Sequence, residues 1–354
     1  MHEGPPALHE SKNRALHARR QLGSTVKPLT LLFALEKDAM ISPATLVQDE
    51  AIERQVSGST WRPQNHDGQY LGEVSLRQAL VHSRNVPAVL LAEHVGMAAL
   101  AEFWRSLGLQ GAGPLPSAAL GAFEGTPMEL AGAYTIFPGQ GRWVQPRWVN
   151  DIRDATGQEV WDWPRNSVRH ASAQAAFMAT SVMQDVLESG TGSGAARFGI
   201  SGEVAGKTGT TDEGMDAWFV GFVPDMVVAV WVGRDRGEPL GSSGARAALP
   251  IWARFVASAG LQGNFVVPSG LVSVSLCTES LQPAHDECTD VTSDWFRTGA
   301  VPRERCSVHG GLVSEVTDAV LSGWERIRST LGLGSADPEP ARRIRPRDSA
   351  PATE

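Results

Sequence analysis

The sequence lacks an excess of positive charge and any long hydrophobic run. Its 354 residues carry a formal net charge of −8 at pH 7, which argues against nucleic acid as a partner, because nucleic-acid binding requires a basic surface. No stretch approaches the roughly 18 consecutive apolar residues of a transmembrane helix. Residues 1–21 also lack the apolar core of a signal peptide. By itself, the sequence therefore shows no targeting signal.

Cysteine is also scarce, and the three cysteines lie close together in the sequence. Cys277, Cys288 and Cys306 fall within 30 residues of one another, which fits one disulfide plus one free thiol, or three reduced thiols in a reducing compartment. A zinc site needs a fourth ligand. His285 and His309 are near, but their spacing from the cysteines matches no familiar zinc motif. We therefore expect no metal, and we expect no cofactor.

Composition and periodicity divide the chain into one large domain and three smaller segments. With 42% hydrophobic residues, the chain can bury a sizeable core. We predict a domain over 1–262, a small cysteine-containing β appendage over 263–310, an amphipathic helix over 311–334 and a disordered tail over 335–354.

Within the large domain, three segments have the clearest periodicity. Apolar residues at helical spacing predict a helix over 172–187. Residues 216–221 and 226–233 are rich in β-branched and aromatic side chains and predict two strands joined at a turn.

The stretch from Gly23 to Pro28 combines a hydroxyl nucleophile with an amine three residues later. Residues three apart share a helix face, so Lys27 can lie beside the hydroxyl of Ser24 and, when neutral, take its proton. The N-terminus of the helix also supplies backbone N–H groups that can bind an oxyanion. Ser-x-x-Lys alone is a weak signal, since a capping serine and a solvated lysine give the same pattern.

Two further motifs follow in a fixed order and strengthen this interpretation. They are Ser83-Arg84-Asn85 and Lys207-Thr208-Gly209-Thr210, placed 59 residues after Ser24 and a further 124 residues along. Ser-x-x-Lys, Ser-Asp-Asn and Lys-Thr-Gly together form the signature of serine enzymes that react with penicillin. Here Arg84 replaces the central aspartate.

The third motif could also be mistaken for the end of a phosphate-binding loop. That loop needs four residues between its two glycines and must open a helix. Gly202 and Gly206 enclose only three residues, and strands are predicted to follow. On a strand, Lys207, Thr208 and Thr210 would instead present a cation and hydroxyls to a substrate carboxylate.

These motifs and their surroundings resemble the transpeptidase domain of class A penicillin-binding proteins, from about residue 12 to 257, with weaker similarity as far as Cys306. The resemblance implies an α/β fold of the penicillin-binding-protein and serine β-lactamase type. In that fold a five-stranded antiparallel sheet is flanked by helices beside an all-α subdomain. The stretches that carry the resemblance are 18–28, 61–65, 76–80, 83–88, 205–211 and 216–222.

The resemblance implies a peptidoglycan D,D-transpeptidase that forms cross-links through an acyl-enzyme on Ser24. Lys27 would be the base, Ser83 would relay a proton to the leaving group, and Asn85 would orient the substrate amide. Lys207, Thr208 and Thr210 would bind the terminal carboxylate, and the backbone N–H groups of Ser24 and Thr210 would form the oxyanion hole. Gly209 would let the substrate backbone lie close, and Trp61 would contact the substrate.

The same resemblance implies partners and a location. The site would bind stem peptides with a D-Ala-D-Ala end, an amine acceptor and β-lactam antibiotics. Cell-wall synthesis proteins are candidate partners. The site would lie in the periplasm or on the outer face of the cell membrane. In that compartment we expect Cys288 to be bridged to Cys277 or Cys306. A D,D-carboxypeptidase would use the same residues, and a penicillin-recognising module without turnover or a decayed fragment remains an alternative.

Two features of the family are missing before the nucleophile. Class A members carry a membrane anchor and a glycosyltransferase domain, and their first two sheet strands also precede the nucleophile. Only 23 residues precede Ser24 here. We therefore expect upstream sequence to supply these parts in the functional polypeptide.

Overall fold

The computed structural model describes residues 13–309, except 57, 163, 165, 212–213, 236–237 and 262, together with residues 343–344. The helices are α1 (Arg14–His17), α2 (Lys27–Lys37), α3 (Leu76–Val81), α4 (Asn85–Val95), α5 (Met97–Ser106), α6 (Pro127–Tyr134), α7 (Ala173–Glu188), α8 (Gly244–Ala247) and α9 (Leu249–Ser258). Short 3-10 turns span Gly23–Val26, Pro116–Leu120, Ser193–Phe198 and Thr298–Ala300.

Sixteen short strands make up the described sheets. They are β1 (Arg20–Gln21), β2 (Leu46–Asp49), β3 (Arg54–Val56), β4 (Ser59–Trp61), β5 (Gly72–Ser75), β6 (Glu124–Gly125), β7 (Arg142–Val144), β8 (Asp151–Arg153), β9 (Glu159–Asp162), β10 (Ser167–Arg169), β11 (Ala205–Thr210), β12 (Asp216–Val223), β13 (Met226–Gly233), β14 (Leu271–Cys277), β15 (Val291–Arg297) and β16 (Arg343–Ile344).

The central sheet is antiparallel, in the order β11-β12-β13. All eight residues of β12 are buried, and alternate side chains enter different cores. Trp218, Val220 and Phe222 join the main core, whereas Phe219 packs with Trp252 of α9 in a second cluster. Apolar groups therefore cover both faces of the sheet, in an α/β/α arrangement. Among the described residues this sheet has three strands, where the resemblance implies five.

The main core lies among α2, α4 and α7, and it fixes the position of α2. Pro28 lies in the first turn of α2, where its missing N–H group costs no helical hydrogen bond. Helix α7 begins where Ser172 accepts a hydrogen bond from Ala175 N, and it packs against both α2 and β11. One buried helix thus connects α2 to the strand that carries the third motif.

The segment after the large domain folds as a hairpin of β14 and β15 that docks on the helices. Only Leu276 and Phe296 of this hairpin are buried in its small cluster, together with Ala44 of the large domain. Arg77 of α3 bonds to Asp294 of β15, with Nη2 and Oδ1 2.7 Å apart. Trp295 of the hairpin also packs against the main core, so polar and apolar contacts together attach the hairpin.

Two predicted segments near the end of the chain are described only in part. The helix predicted over 311–334 lies outside the described residues. Within the predicted disordered tail, Arg343 and Ile344 pair in parallel with Leu46 and Val47, and Ile344 is buried. At these two positions the prediction of disorder is wrong. The edge of β2 is available for strand pairing, and Ile344 supplies an apolar side chain that becomes buried there.

Among the described residues, no single helix has the length and apolar composition needed to cross a membrane. The pair α4 and α5, bent by 94°, satisfies both criteria only when its two helices are taken together.

Candidate active site

The turn that carries Ser24 is held in place by contacts from three sides. Leu22 N donates to Phe123 O and Gly23 N to Gly121 O, at 3.1 and 3.2 Å. The buried Tyr134 hydroxyl donates to Thr25 O at 2.5 Å. Ser24 itself is partly exposed, and the chain continues directly into α2. Ser24 therefore lies on a well-anchored turn at the start of a buried helix, and its role as the nucleophile stays a prediction.

Lys27 is almost fully buried, and its amine faces the second motif. Its Nζ lies 2.7 Å from Ser83 O, 2.6 Å from Asn85 Oδ1 and 3.4 Å from Ser83 Oγ. A neutral amine has two N–H donors and one lone pair. The two short contacts can use both donors and would leave the lone pair available to accept a proton. The role of Lys27 as the base for Ser24 stays a prediction.

Burial and nearby cations favour the neutral form of this amine. Burial is the main cause that holds the pKa of Lys27 well below its ordinary 10.5. The charges of Lys207 and Arg84 lower this pKa further, while Asp49 opposes them.

Ser83 adopts a backbone conformation that non-glycine residues rarely take. Its φ of 56° lies in the left-handed region, which costs roughly 1–3 kcal/mol and persists only where the surrounding structure imposes it. The bonds from Ser83 N to Leu80 O and from Arg84 N to Ala79 O, at 3.0 and 2.8 Å, hold this turn. As a result, the carbonyl and the hydroxyl of Ser83 both face Lys27.

Arg84, the departure from the family pattern, forms ion pairs with two aspartates, one of them buried. It bonds to Asp49 at 2.8 Å and to Asp67 at 2.7 Å, and it also donates to Gln69 O. Asp49 is fully buried and accepts a further bond from Asn65 at 2.7 Å. Arginine at this position therefore neutralises Asp49, a partner that sequence reasoning did not identify.

The same network positions Asn85. Asn65 Oδ1 accepts from the backbone N–H of Asn85 at 2.7 Å, and Asn85 Nδ2 donates to Gln64 O at 2.7 Å. Both polar atoms of the Asn85 amide are thus engaged, with Lys27 and with Gln64. Its role in orienting the substrate stays a prediction.

Lys207 projects from β11 toward Ser83 and is completely buried. Its Nζ lies 2.9 Å from Ser83 Oγ and 3.1 Å from Thr208 O. Burial lowers the pKa of Lys207 to about 7. The hydroxyl of Ser83 therefore lies between two buried amines, so it can pass protons from one to the other.

The hydroxyls of the third motif already have partners within the protein. Thr208 Oγ1 lies 2.8 Å from Thr191 Oγ1, and Thr210 Oγ1 accepts from Gly244 N at 3.2 Å. Thr191 follows α7 in a glycine-rich loop, and its sequence gave no signal of this contact. The binding of a carboxylate by Thr208 and Thr210 stays a prediction.

Gly23 brings the turn that carries Ser24 against the end of β11. Its φ is +55°, and a Cβ at this position would lie 2.9 Å from Thr210 O. Only glycine combines this conformation with such a close approach. The backbones of Ser24 and Thr210 are thereby neighbours, as an oxyanion hole formed by their N–H groups requires.

Two predicted substrate contacts look different in the structure. A Cβ on Gly209 would lie 2.7 Å from Thr25 Cγ2 and 3.0 Å from Trp218 Cβ, so this glycine makes room for packing within the protein, and the close approach of a substrate backbone stays a prediction. Trp61 pairs with Arg54 of β3 and packs against the main core. Its contact with a substrate stays a prediction.

The three cysteines differ from the expected disulfide. Cys277, Cys288 and Cys306 are all free, and His309 Nδ1 lies 3.4 Å from Cys277 Sγ and 3.5 Å from Cys306 Sγ. The sequence spacing gave no reason to place His309 among the sulfurs, because the hairpin that gathers them forms only in the fold.

Two regions of the chain match known protein families. Residues 3–256 match the family described as penicillin binding protein transpeptidase domain, and residues 267–311 match the family described as penicillin-binding protein 1A, C-terminal domain. The chain is 36% identical over 277 residues to penicillin-binding protein 1A of Neisseria cinerea, which covers 74% of this chain and 34% of the relative. It therefore spans about a third of that protein's length.

Solved structures agree with the predicted fold class. Penicillin-binding protein 1A from Haemophilus influenzae superposes with a TM-score of 0.76 at 25% identity, covering 83% of this chain and 50% of that one. The D,D-transpeptidase domain of peptidoglycan glycosyltransferase from Eggerthella lenta gives 0.57 at 26% identity, covering 70% and 68%. The predicted fold of the penicillin-binding-protein type is confirmed.

Proposed function

This chain belongs to the family of penicillin-binding protein transpeptidase domains, and we propose that it is a serine D,D-transpeptidase that cross-links peptidoglycan stem peptides. The proposal rests chiefly on one observation: Ser83 Oγ lies 2.9 Å from the amine of Lys207 and 3.4 Å from that of Lys27. One hydroxyl is thus shared by two buried amines, next to the turn that carries Ser24.

Acylation begins with the neutral amine of Lys27. It takes the proton of Ser24 while Ser24 Oγ attacks the carbonyl carbon of the penultimate D-Ala. The negative charge that develops on the carbonyl oxygen is stabilised by the N–H groups of Ser24 and Thr210. Lys207, when protonated, attracts the terminal carboxylate of the donor peptide.

The tetrahedral intermediate then breaks its C–N bond. Ser83 donates its hydroxyl proton to the departing D-Ala nitrogen and regains a proton from Lys27, which returns to the neutral form. The acyl group remains as an ester on Ser24. An amine of a second stem peptide attacks the ester carbon and passes its proton to Lys27. The C–Oγ bond then breaks, and Lys27 returns the proton to Ser24 Oγ, which leaves a new amide and the free enzyme. A β-lactam would acylate Ser24 by the first half of this sequence.

The proposal places the reaction on the outer face of the cell membrane or in the periplasm, where peptidoglycan lies. It also makes stem peptides and β-lactams the partners of this site. A hydrolytic D,D-carboxypeptidase would share the acylation step and differ only in using water as the acceptor.

The test uses the purified chain with a fluorescent penicillin, and then with a D-Ala-D-Ala donor peptide and an amine acceptor. We expect covalent labelling and a new amide product. Labelling with release of D-Ala but no amide would indicate a carboxypeptidase. Labelling without any turnover would indicate a recognition module.

A further inference from the structure

Four potential metal ligands meet beyond the large domain. Cys277 ends β14, Cys288 lies in the connection to β15, and Cys306 and His309 follow β15. Their ligand atoms, three Sγ and one imidazole nitrogen, all lie within 4.8 Å of one another. Ten, seventeen and two residues separate successive members in the sequence, so the fold gathers them.

The distances suit a tetrahedral zinc ion. With Zn–S near 2.3 Å and Zn–N near 2.0 Å, a tetrahedral site has S···N separations of about 3.6 Å. The observed separations from His309 Nδ1 are 3.4 Å to Cys277 Sγ and 3.5 Å to Cys306 Sγ. Three sulfurs and one imidazole form one of the common ligand sets of structural zinc sites.

Backbone N–H groups point at each of the three sulfurs. Those of Glu279 and Ser280 bond to Cys277, and those of Val308 and His309 bond to Cys306. In each case the donors lie two and three residues after the cysteine. These N–H···S bonds orient sulfur ligands and stabilise their thiolate form, as is typical around a bound metal.

The remaining sulfur and the imidazole also have supporting contacts. The backbone N–H of His285 donates to Cys288 Sγ at 3.3 Å. His309 directs Nδ1 to the cysteines, while its Nε2 lies 3.5 Å from the Glu279 carboxylate. A metal-binding histidine commonly contacts a carboxylate through its second nitrogen in this way. A disulfide would use two of the sulfurs and would leave this arrangement of His309 unexplained.

A crosslink would stabilise the hairpin, because its local apolar cluster is small. Leu276 and Phe296 are its buried side chains in the local cluster, with Val272, Val274 and Val301 only partly buried around them. Units with so small a core commonly rely on disulfides or a metal. The ligands come from three separate segments, so one ion would tie the hairpin to the chain that follows it.

We propose that Cys277, Cys288, Cys306 and His309 form a structural zinc site. Four protein ligands fill a tetrahedral site and leave no position for a substrate. The site stabilises the hairpin, whose Arg297 donates to Leu35 O at 2.7 Å. Leu35 is eight residues from Lys27 along α2, about 12 Å, so the zinc site supports the domain without taking part in the reaction.

The direct test measures metal content in the purified chain of residues 1–354. We expect about one zinc per chain. Cys288→Ser and Cys306→Ser should lower it to about one tenth or less, because a tetrahedral site loses one of its four ligands. His309→Cys should retain zinc, since sulfur can replace the imidazole. His285→Ala is the matched control and should also retain it, because only its backbone contacts Cys288.

A second measurement needs no variant. Wild-type chain reconstituted with Co(II) should show sulfur-to-metal charge-transfer bands and tetrahedral d–d bands, and removing the metal should lower the melting temperature. A disulfide between any two of the cysteines, or zinc content unchanged in both serine variants, would overturn the proposal. Penicillin labelling of Ser24, measured on the same samples, should persist in the serine variants, so this proposal and the proposed transpeptidase activity can fail separately.

Discussion

Ser83 Oγ lies 2.9 Å from Lys207 Nζ, although the two residues are 124 positions apart in the sequence. The contact joins a helix junction to the edge of the central sheet and depends on the left-handed backbone of Ser83, with φ of 56°. The sequence contains only four lysines among its 31 basic residues, and two of them flank this hydroxyl. Arginine supplies the other 27 basic side chains. A guanidinium does not deprotonate in proteins, so arginine cannot replace a lysine that acts as a base.

Lys27 is expected to be essential because a neutral amine must accept the Ser24 proton. Replacement by alanine or arginine should slow acylation by penicillin about 10²–10⁴-fold, the usual contribution of a general base. Acylation kinetics by stopped-flow or gel measure this effect, with circular dichroism as the control for folding. A rate for Lys27→Ala within about tenfold of wild type, a barrier change of about 1.4 kcal/mol, would rule out the base assignment.

The acylation rate should depend on pH through both lysines. Lys27 must be neutral, so acylation falls as acid protonates it. Burial lowers the pKa of Lys207 to about 7, so in the free enzyme its cation is lost as the pH rises through that value. The second-order acylation rate of a penicillin with a free carboxylate should therefore decline above about pH 7.

A penicillin methyl ester is the control for this decline. It lacks the carboxylate that the Lys207 cation attracts, so its acylation should show only the acid limb set by Lys27. Equal alkaline declines for both compounds would contradict a role for the Lys207 charge in binding the carboxylate.

Arg84 should contribute more to stability than to chemistry. Its side chain and that of Asp49 are 5% and 0% exposed, so Arg84→Ala would leave a buried carboxylate without its charge partner. Loss of one member of a buried pair costs about 3–5 kcal/mol in the free energy of unfolding. Urea denaturation measures this change.

Arg62 provides the matched comparison for Arg84. Its ion pair with Glu53 is exposed, at 64% and 59%, and exposed pairs contribute about 0–1 kcal/mol. If Arg62→Ala and Arg84→Ala lowered the unfolding free energy equally, the stabilising role of the buried network would be wrong.

Gly23 should be required for the geometry between Ser24 and Thr210. Gly23→Ala would place a Cβ 2.9 Å from Thr210 O at a positive φ and push the two backbones apart. A displacement of about 1 Å can cost about 10²-fold in rate. Gly157, with φ of +86° and no atom within 4 Å, is the control: Gly157→Ala has the same kind of backbone strain but should leave acylation unchanged. Equal acylation rates for the two variants would contradict the requirement for glycine at position 23.

Local sequence patterns predicted much of the fold, since they depend on neighbouring residues. The helix predicted over 172–187 is observed as Ala173–Glu188, and the strands predicted over 216–221 and 226–233 are observed as Asp216–Val223 and Met226–Gly233. Alternating or helical periodicity is a short-range property. The motifs themselves were found because each is short and contiguous.

What the sequence could not predict are contacts between distant residues. Arg84 and Asp49 are 35 positions apart, and no local pattern at either position indicates its partner, so the reason for arginine in place of the family's aspartate emerges only in the fold. The spacing of His309 from the cysteines is irregular and matches no zinc motif, so the sequence predicts no metal there. In both cases the fold brings side chains together in a way that no local pattern records.

The most direct test of the account is the site of covalent labelling by penicillin. The purified chain is labelled, digested and mapped by mass spectrometry, with Ser24→Ala as the variant and its melting temperature as the control for folding. The account predicts that the label lies on Ser24 and that Ser24→Ala, folded as the wild type, takes up none. A label on another residue, or undiminished labelling of Ser24→Ala, would contradict it.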